Sequence, residues 1–286
     1  MTRVGAIFSP YANAPEAFRD AVVAADEAGL SELWLWEDCF RESAYASASA
    51  ALAWTSGLRI GIGIAPMPLR NVAVTAMEIA TIARLFPGRL LPGVGHGVLS
   101  WMGQVGARVA SPLTLMREYV PALRALLAGE EVAVDGRHVH LDGVRLDWPP
   151  AFVPPVYAAA EGPKTLALAG EVADGVVLDS RHSPAELERS VQLIRAGAGD
   201  TTGPEDIVAY VVAAFGDDAE GRVRADAGAQ GVGDDRALWG STEQIAAGVR
   251  RFAAAGVDAV ILLPAAGEPD LAQFYANAAE VGSIVA

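Results

Sequence analysis

Lysine is almost missing from this chain: Lys164 is the only one, and arginine supplies the rest of the 21 basic residues. They face 35 acids, for a formal net charge of −14. A nucleic-acid partner needs a basic footprint on the protein, so that class is excluded. Any anion bound here must be met by local positive charge and not by the overall field. Cysteine is equally scarce: Cys39 stands alone and cannot close an internal disulfide, which fits a reducing cytoplasm. No run of about 18 uncharged apolar residues occurs, so no membrane span is expected. Residues 1–8 pass straight into an apolar run without the pattern of a signal peptide. No Gly-x-Gly-x-x-Gly follows that first run, which argues against a doubly wound dinucleotide fold. The preference for arginine over lysine, with heavy use of alanine, glycine and valine, looks like the coding bias of a GC-rich genome.

What is abundant is apolar. Hydrophobic residues fill 52% of 286 positions, enough for one large α/β domain or two small ones. The most informative stretch is 59–97. Residues 60–65 are an apolar run studded with glycine, short enough for a strand buried on both faces. Asn71 caps a segment in which Val74, Met77, Ile79, Ile82, Ala83 and Leu85 recur near helical spacing, until Pro87-Gly88 stops it. Residues 90–94 are a second buried run, closed by Gly95-His96-Gly97. The unit is strand–helix–strand with parallel strands. Glycine at strand ends lets a ligand approach the backbone, so Gly61, Gly63, Ile64, Ala65, Gly95 and Gly97 read as the floor of a cofactor site.

Strand-like runs recur near residues 4, 33, 60, 90, 156, 174, 207 and 259, with helical segments between nearly all of them. Ser111-Pro112, Ser183-Pro184-Ala185-Glu186 and Ser241-Thr242-Glu243-Gln244 are helix starts, and Gly29 and Gly256 are helix stops. Asp135-Gly136-Arg137 marks a hairpin over about 131–141. Residues 97–111 read as a long loop, and 216–240 as a polar stretch rich in alanine and glycine. Eight βα units in about 250 residues predict a single TIM-barrel domain over 1–286, interrupted only by the hairpin.

Catalytic residues of that fold gather at the C-terminal ends of its strands. Asp38 and Cys39 end the second strand, although Asp38 in a turn and Cys39 as a small buried hydrophobe would serve equally. His96, between two glycines, is a candidate acid/base near neutral pH. Ala160 and Glu161-Gly162-Pro163-Lys164 join a strand to a helix N-terminus. Free N–H groups there attract phosphate, and Lys164 adds a point charge. Asp179 ends the next strand, and Arg70 and Arg181 are alternative phosphate partners. Trp101 and Met102 could wall a substrate pocket, whereas Trp34 and Trp36 read as core. His138, His140 and His182 lack metal-ligand spacing, so no metal is expected.

Three motifs together resemble the bacterial luciferase-like flavin oxidoreductases, a family that includes users of the deazaflavin coenzyme F420. They are Leu33-Trp34-Leu35-Trp36-Glu37-Asp38, the stretch 59–97, and Pro155-Val156-Tyr157 through Gly162-Pro163-Lys164 to Asp174-Gly175. The resemblance implies a TIM barrel, commonly a homodimer, with the flavin at the C-terminal mouth and a cis peptide at Gly63-Ile64. It also implies hydride transfer between coenzyme F420 and a small organic substrate. The alternative is an FMN-dependent monooxygenase fed with reduced flavin by a separate reductase; a third reading is a flavin-binding barrel without turnover. Deazaflavin members often carry Asp-His where this chain has Asp38-Cys39. Several have a glutamate where it reads His96-Gly97-Val98.

Overall fold

The computed structural model describes residues 2–11, 13–199, 203–230 and 234–286. Met1, and positions 231–233 of the 216–240 stretch, lie outside the described residues. The strands are β1 (Arg3–Ile7), β2 (Glu32–Leu35), β3 (Arg59–Ile62), β4 (Ala65–Pro66), β5 (Leu90–Leu91), β6 (Gly93–Gly95), β7 (Val132–Asp135), β8 (His140–Val144), β9 (Tyr157–Ala159), β10 (Gly175–Leu178), β11 (Asp206–Phe215), β12 (Ala237–Gly240) and β13 (Ala259–Pro264). The helices are α1 (Phe18–Glu27), α2 (Ala44–Trp54), α3 (Val72–Leu85), α4 (Leu99–Gln104), α5 (Pro112–Leu127), α6 (Pro163–Val172), α7 (Pro184–Ala198), α8 (Ala219–Gln230), α9 (Thr242–Ala254) and α10 (Leu271–Val285).

Local chemistry explains the helix starts. Asn71 accepts a hydrogen bond from the Ala73 N–H at α3, and Ser111 from Thr114 at α5. Complete capping boxes open α7 (Ser183 with Glu186) and α9 (Ser241 with Gln244), satisfying N–H groups the helix cannot pair itself. Proline occupies the first turn of α6, where no N–H is needed.

All eight expected strand positions carry strands, and the runs at 60–65 and 90–94 are each broken in two. Every neighbouring pair runs parallel along β5-β3-β2-β1-β13-β11-β10-β9-β6-β4, with β12 added beside β11. Gly63 and Ile64 alone separate β3 from β4, and Pro92 alone separates β5 from β6. Each end strand of the ladder therefore lies one or two residues along the chain from the strand next to the opposite end, and the sheet is a curled one. Two elements differ from expectation. The hairpin is antiparallel β7–β8 but extends to Val144, because its turn takes up residues 136–139, closed by the Gly136 N–H donating to the Val139 carbonyl, and the second strand starts only at His140. The 216–240 stretch holds α8 and β12, and the 97–111 loop contains α4.

Strand alternation sorts the core into two layers. Leu33, Leu35, Ile60, Ile62, Val176 and Ala209 face outward and pack under the helices. Ile7, Trp34, Tyr157, Val177, Tyr210 and Ile261 face inward and pack on one another, with the Trp34 and Tyr157 rings edge-to-face at 5.4 Å. Below them lies a polar floor. Glu32, fully buried, accepts from the Arg3 guanidinium at 3.1 Å and from Trp34 Nε1 at 3.3 Å, with Arg59 3.7 Å away. Arg3 and the Tyr157 hydroxyl both donate to Asp206, at 2.6 and 2.5 Å. A buried carboxylate is tolerable only when so surrounded.

Candidate active site

A cleft of about 1090 Å³ opens at the C-terminal ends of the parallel strands. Its lining comes from segments far apart in sequence. Trp36, Glu37 and Asp38 follow β2, Gly63 and Ile64 join β3 to β4, and His96 and Gly97 follow β6. Ala160, Glu161 and Gly162 lead from β9 into α6, Asp179 and Arg181 follow β10, and residues 263–268 end β13. Ligands collect at this edge in parallel α/β sheets because the loops converge there.

Gly63 is dictated by its neighbour. A Cβ at that position would lie 1.8 Å from the Tyr210 hydroxyl oxygen, which reaches in from β11. The Gly63–Ile64 peptide is cis, at the position the resemblance implies, and a second non-proline cis peptide joins Cys39 to Phe40. The Ile64 carbonyl accepts from the Glu37 N–H at 3.1 Å, tying this strand break to the end of β2.

On the β2 side, the Tyr11 phenol donates to Asp38 Oδ2 at 2.6 Å, and the Arg41 guanidinium lies 4.0 Å from the centroid of the Tyr11 ring. Burial pushes the Asp38 carboxyl above its ordinary value, against the opposing pull of Tyr11 and Arg41. Burial and the bond to Asp38 push Tyr11 up to about 12. Glu37 is clamped by two Arg70 nitrogens at 2.5 and 2.9 Å and accepts from the Ala44 N–H. On the β6 side, His96 is half-buried and burial lowers its pKa, so the ring is neutral near pH 7. Among the described residues, neither His96 ring nitrogen nor the Trp36 indole N–H has a hydrogen-bond partner, and all three atoms are buried.

Across the cleft stands a charged cluster. Arg181 donates to Asp179 at 2.7 Å and to Glu161 at 2.5 Å, and His182 lies 3.0 Å from Asp179. Burial opposes ionisation of Asp179, but hydrogen bonds from His182 and Arg181 hold it well below the usual carboxylate range. Burial, then the Asp179 charge, pushes Glu161 up. The bond to Asp179 raises His182.

The structure brings Asp38, His96, Gly63, Ile64, Gly97, Ala160, Glu161, Gly162 and Asp179 together around one cleft. Six other sequence candidates lie outside its lining. The Trp34 ring covers Gly61, the Ile64 side chain covers Gly95, and Ala65 is buried. Cys39 is half-buried beside the wall, and Pro163 and Lys164 are exposed on the first turn of α6, where Thr165 faces the cleft instead. Trp101 and Met102 are also outside it; Val98 and Leu99 form that wall, while the Met102 thioether packs beneath Gly97. Arg70 is committed to Glu37. Sequence reading missed Tyr11, Glu37 and Tyr210 and the 263–268 loop, and took Trp36 for core. The alternation that turns Trp34 inward also turns Trp36 inward, one step nearer the mouth. Among the described residues no cluster suits a metal ion and no helix is long and apolar enough to cross a membrane.

A family model described as luciferase-like monooxygenase matches residues 1–225. The chain is 32% identical over 198 residues to a 5,10-methylenetetrahydromethanopterin reductase of Methanolobus tindarius, covering 68% of this chain and 60% of the relative. It is 29% identical over 224 residues to an F420-dependent glucose-6-phosphate dehydrogenase of Kineococcus radiotolerans, covering 72% and 66%. It thus spans less than two thirds of the length of either relative. The coenzyme F420-dependent tetrahydromethanopterin reductase structure from Methanopyrus kandleri superposes with a TM-score of 0.82 at 20% identity, over 98% of this chain and 97% of that one; it speaks to fold alone.

Proposed function

Because the chain belongs to the luciferase-like monooxygenase family, we propose that it is an oxidoreductase that moves a hydride between coenzyme F420 and a small organic molecule. The observation that carries this reading is the cleft with three orphaned buried nitrogens, on Trp36 and His96, at the strand ends. Such atoms suit a flat, heteroatom-rich ring, and two relatives similar over most of this chain are named for reactions of this class. When bound, F420 supplies the ring carbon that gives or takes the hydride. Gly63, Ile64, Gly97, Ala160 and Gly162 would line the ring and its tail, with Asp179 orienting Arg181. Gly61, Ala65, Gly95, Pro163 and Lys164 would support them from outside, and Cys39 would sit behind Asp38. His96, neutral near pH 7, can donate or accept one proton, and Asp38 can hold one.

The same reading takes β3 with β4 and β5 with β6 as two interrupted strands. The ladder then closes into an eight-stranded barrel forming one domain over 1–286, in a cytoplasmic homodimer without nucleic-acid or membrane partners. The family description favours a second reading, an FMN-dependent monooxygenase supplied by a reductase, and the Asp38-Cys39 and His96-Gly97-Val98 departures keep it open. Titration with F420 and with FMN, followed by tryptophan fluorescence, separates them. Saturable quenching by F420 and not FMN, with oxygen-independent turnover, supports the deazaflavin reading; the reverse preference supports the monooxygenase. Binding without turnover of any substrate would mean a non-catalytic barrel. With F420 bound, Asp38→Ala and His96→Ala are each expected to lower kcat by about 10²–10⁴.

A further inference from the structure

A second cavity, of about 310 Å³, lies outside the cleft and shares no lining residue with it. The chain passes from one to the other: Pro66 ends β4 in the cleft wall, and Met67 to Val72 wall the second cavity as they turn into α3. The rest of its wall comes from α5, the β7–β8 hairpin and Val109. Glu118 of α5 fastens the hairpin, accepting from the Arg137, His138 and Val139 N–H groups at 2.9, 2.8 and 3.0 Å. His138 is thereby held in the cavity wall by its backbone.

The other polar side chains of this wall are engaged. Arg70 holds Glu37 and, at 3.3 Å, Glu78. The Tyr119 hydroxyl lies 2.6 Å from Thr75 Oγ1 and donates to the Arg70 carbonyl at 3.3 Å. Asn71 Oδ1 accepts from the Ala73 N–H, and His140 Nδ1 lies 3.2 Å from Asp135; both residues are exposed. His138 differs: its Nε2 is buried and has no hydrogen-bond partner among the described residues. The wall also carries the buried apolar side chains of Met67, Val72, Leu115 and Val139.

A buried nitrogen of this kind costs free energy until something pairs with it. A buried water wants two to four polar partners, whereas a hydroxyl on a carbon ring needs one, and its ring covers apolar wall. A charged guest would leave water for a wall whose permanent charge, on Arg70, is already paired with two carboxylates. We propose that this cavity is a second binding site, for a small uncharged molecule with a cyclic or aromatic body and one hydroxyl. The hydroxyl hydrogen-bonds to His138 Nε2. The volume suits one or two rings, since an apolar cavity of about 150 Å³ takes up benzene. The site is independent of the hydride-transfer reading of the cleft.

The test uses phenol, toluene and benzoate, followed by NMR through the imidazole nitrogens and the Val139 amide. The chain has four histidines, and His138→Phe identifies the His138 signals by their loss. Phenol should shift the His138 Nε2 signal saturably and bind about threefold to tenfold more tightly than toluene. Benzoate should leave the signal in place. In His138→Phe, whose hairpin Glu118 still holds by the backbone, the Val139 amide should report equal binding of phenol and toluene. Val109→Trp, from a half-buried position in the wall, should fill the cavity and abolish the phenol shift. Toluene or benzoate binding the wild type as tightly as phenol overturns the proposal, as does a phenol preference that survives His138→Phe. An undiminished shift in Val109→Trp overturns it too. So does the absence of a phenol response at His138, whether His96 in the cleft responds or not.

Discussion

Gly63 shows how tightly one residue can be bound to another across the molecule. A methyl group there would coincide with the Tyr210 oxygen, and the next atom, Tyr210 Cζ, would be 3.0 Å away. Gly63→Ala should therefore destabilise the fold by about 1–3 kcal/mol, read as a lower denaturant midpoint. Tyr210→Phe in the same chain removes the offending oxygen and should recover part of that loss. No recovery would mean that the obstacle is not the hydroxyl. Glu161 offers an opposite case, since removing its charge should improve binding. It holds Arg181 at 2.5 Å, so an incoming anion must compete with it. Glu161→Gln should bind sulfate several-fold more tightly at pH 7, about 1 kcal/mol. In the wild type, sulfate affinity should rise as acid protonates Glu161, whose pKa burial has raised, while the variant stays flat over that range. Isothermal calorimetry across pH 4–8 would decide it.

Among the elements, α7 depends on a single carboxylate. Glu186 accepts from the Ser183 N–H and hydroxyl, both at 2.8 Å, and from Arg236 just before β12 at 2.8 Å. Arg236 and then Ser183 pull its pKa down to about 2. The folded value lies below the ordinary 4.5, so the stabilisation is fully present above about pH 4.5 and is lost as pH falls toward 2. Glu186→Gln should cost about 1 kcal/mol at pH 7 and nothing measurable near pH 2, by urea unfolding at each pH. That cap was legible in the sequence because Ser-Pro-Ala-Glu carries its own geometry. The eight strand positions were legible too, since strands buried on both faces are continuous apolar runs. The elements α8 and β12 were not. Ala219–Gln230 has no apolar stripe, and Ala237–Gly240 is strand only because the far half of β11 stands there to pair with it.

For the molecule as a whole, the site was half legible. Strand ends announce themselves by glycine, as at Gly63 and Gly97. Which loops meet above them does not, and Tyr11 touching Asp38, or residues 263–268 forming a wall, follows only from the sheet order that sets β13 beside β1. Overall charge acts at this scale as well. With a net charge of −14, the protein repels an anionic cofactor at long range. The association rate of F420 in stopped flow should therefore increase as salt is raised from about 10 to 150 mM, because screening shortens the field from roughly 30 to 8 Å. A rate that falls with salt would mean that local cations dominate the approach.

The floor of Glu32, Arg3, Asp206 and Tyr157 has a last consequence. It shuts the lower end of the inner face, so a guest comes into the cleft from the side of the strand ends. Two guests that come in from the same side are ordered by depth. The one that sits deeper must arrive first and depart last, and product inhibition should reveal a compulsory queue.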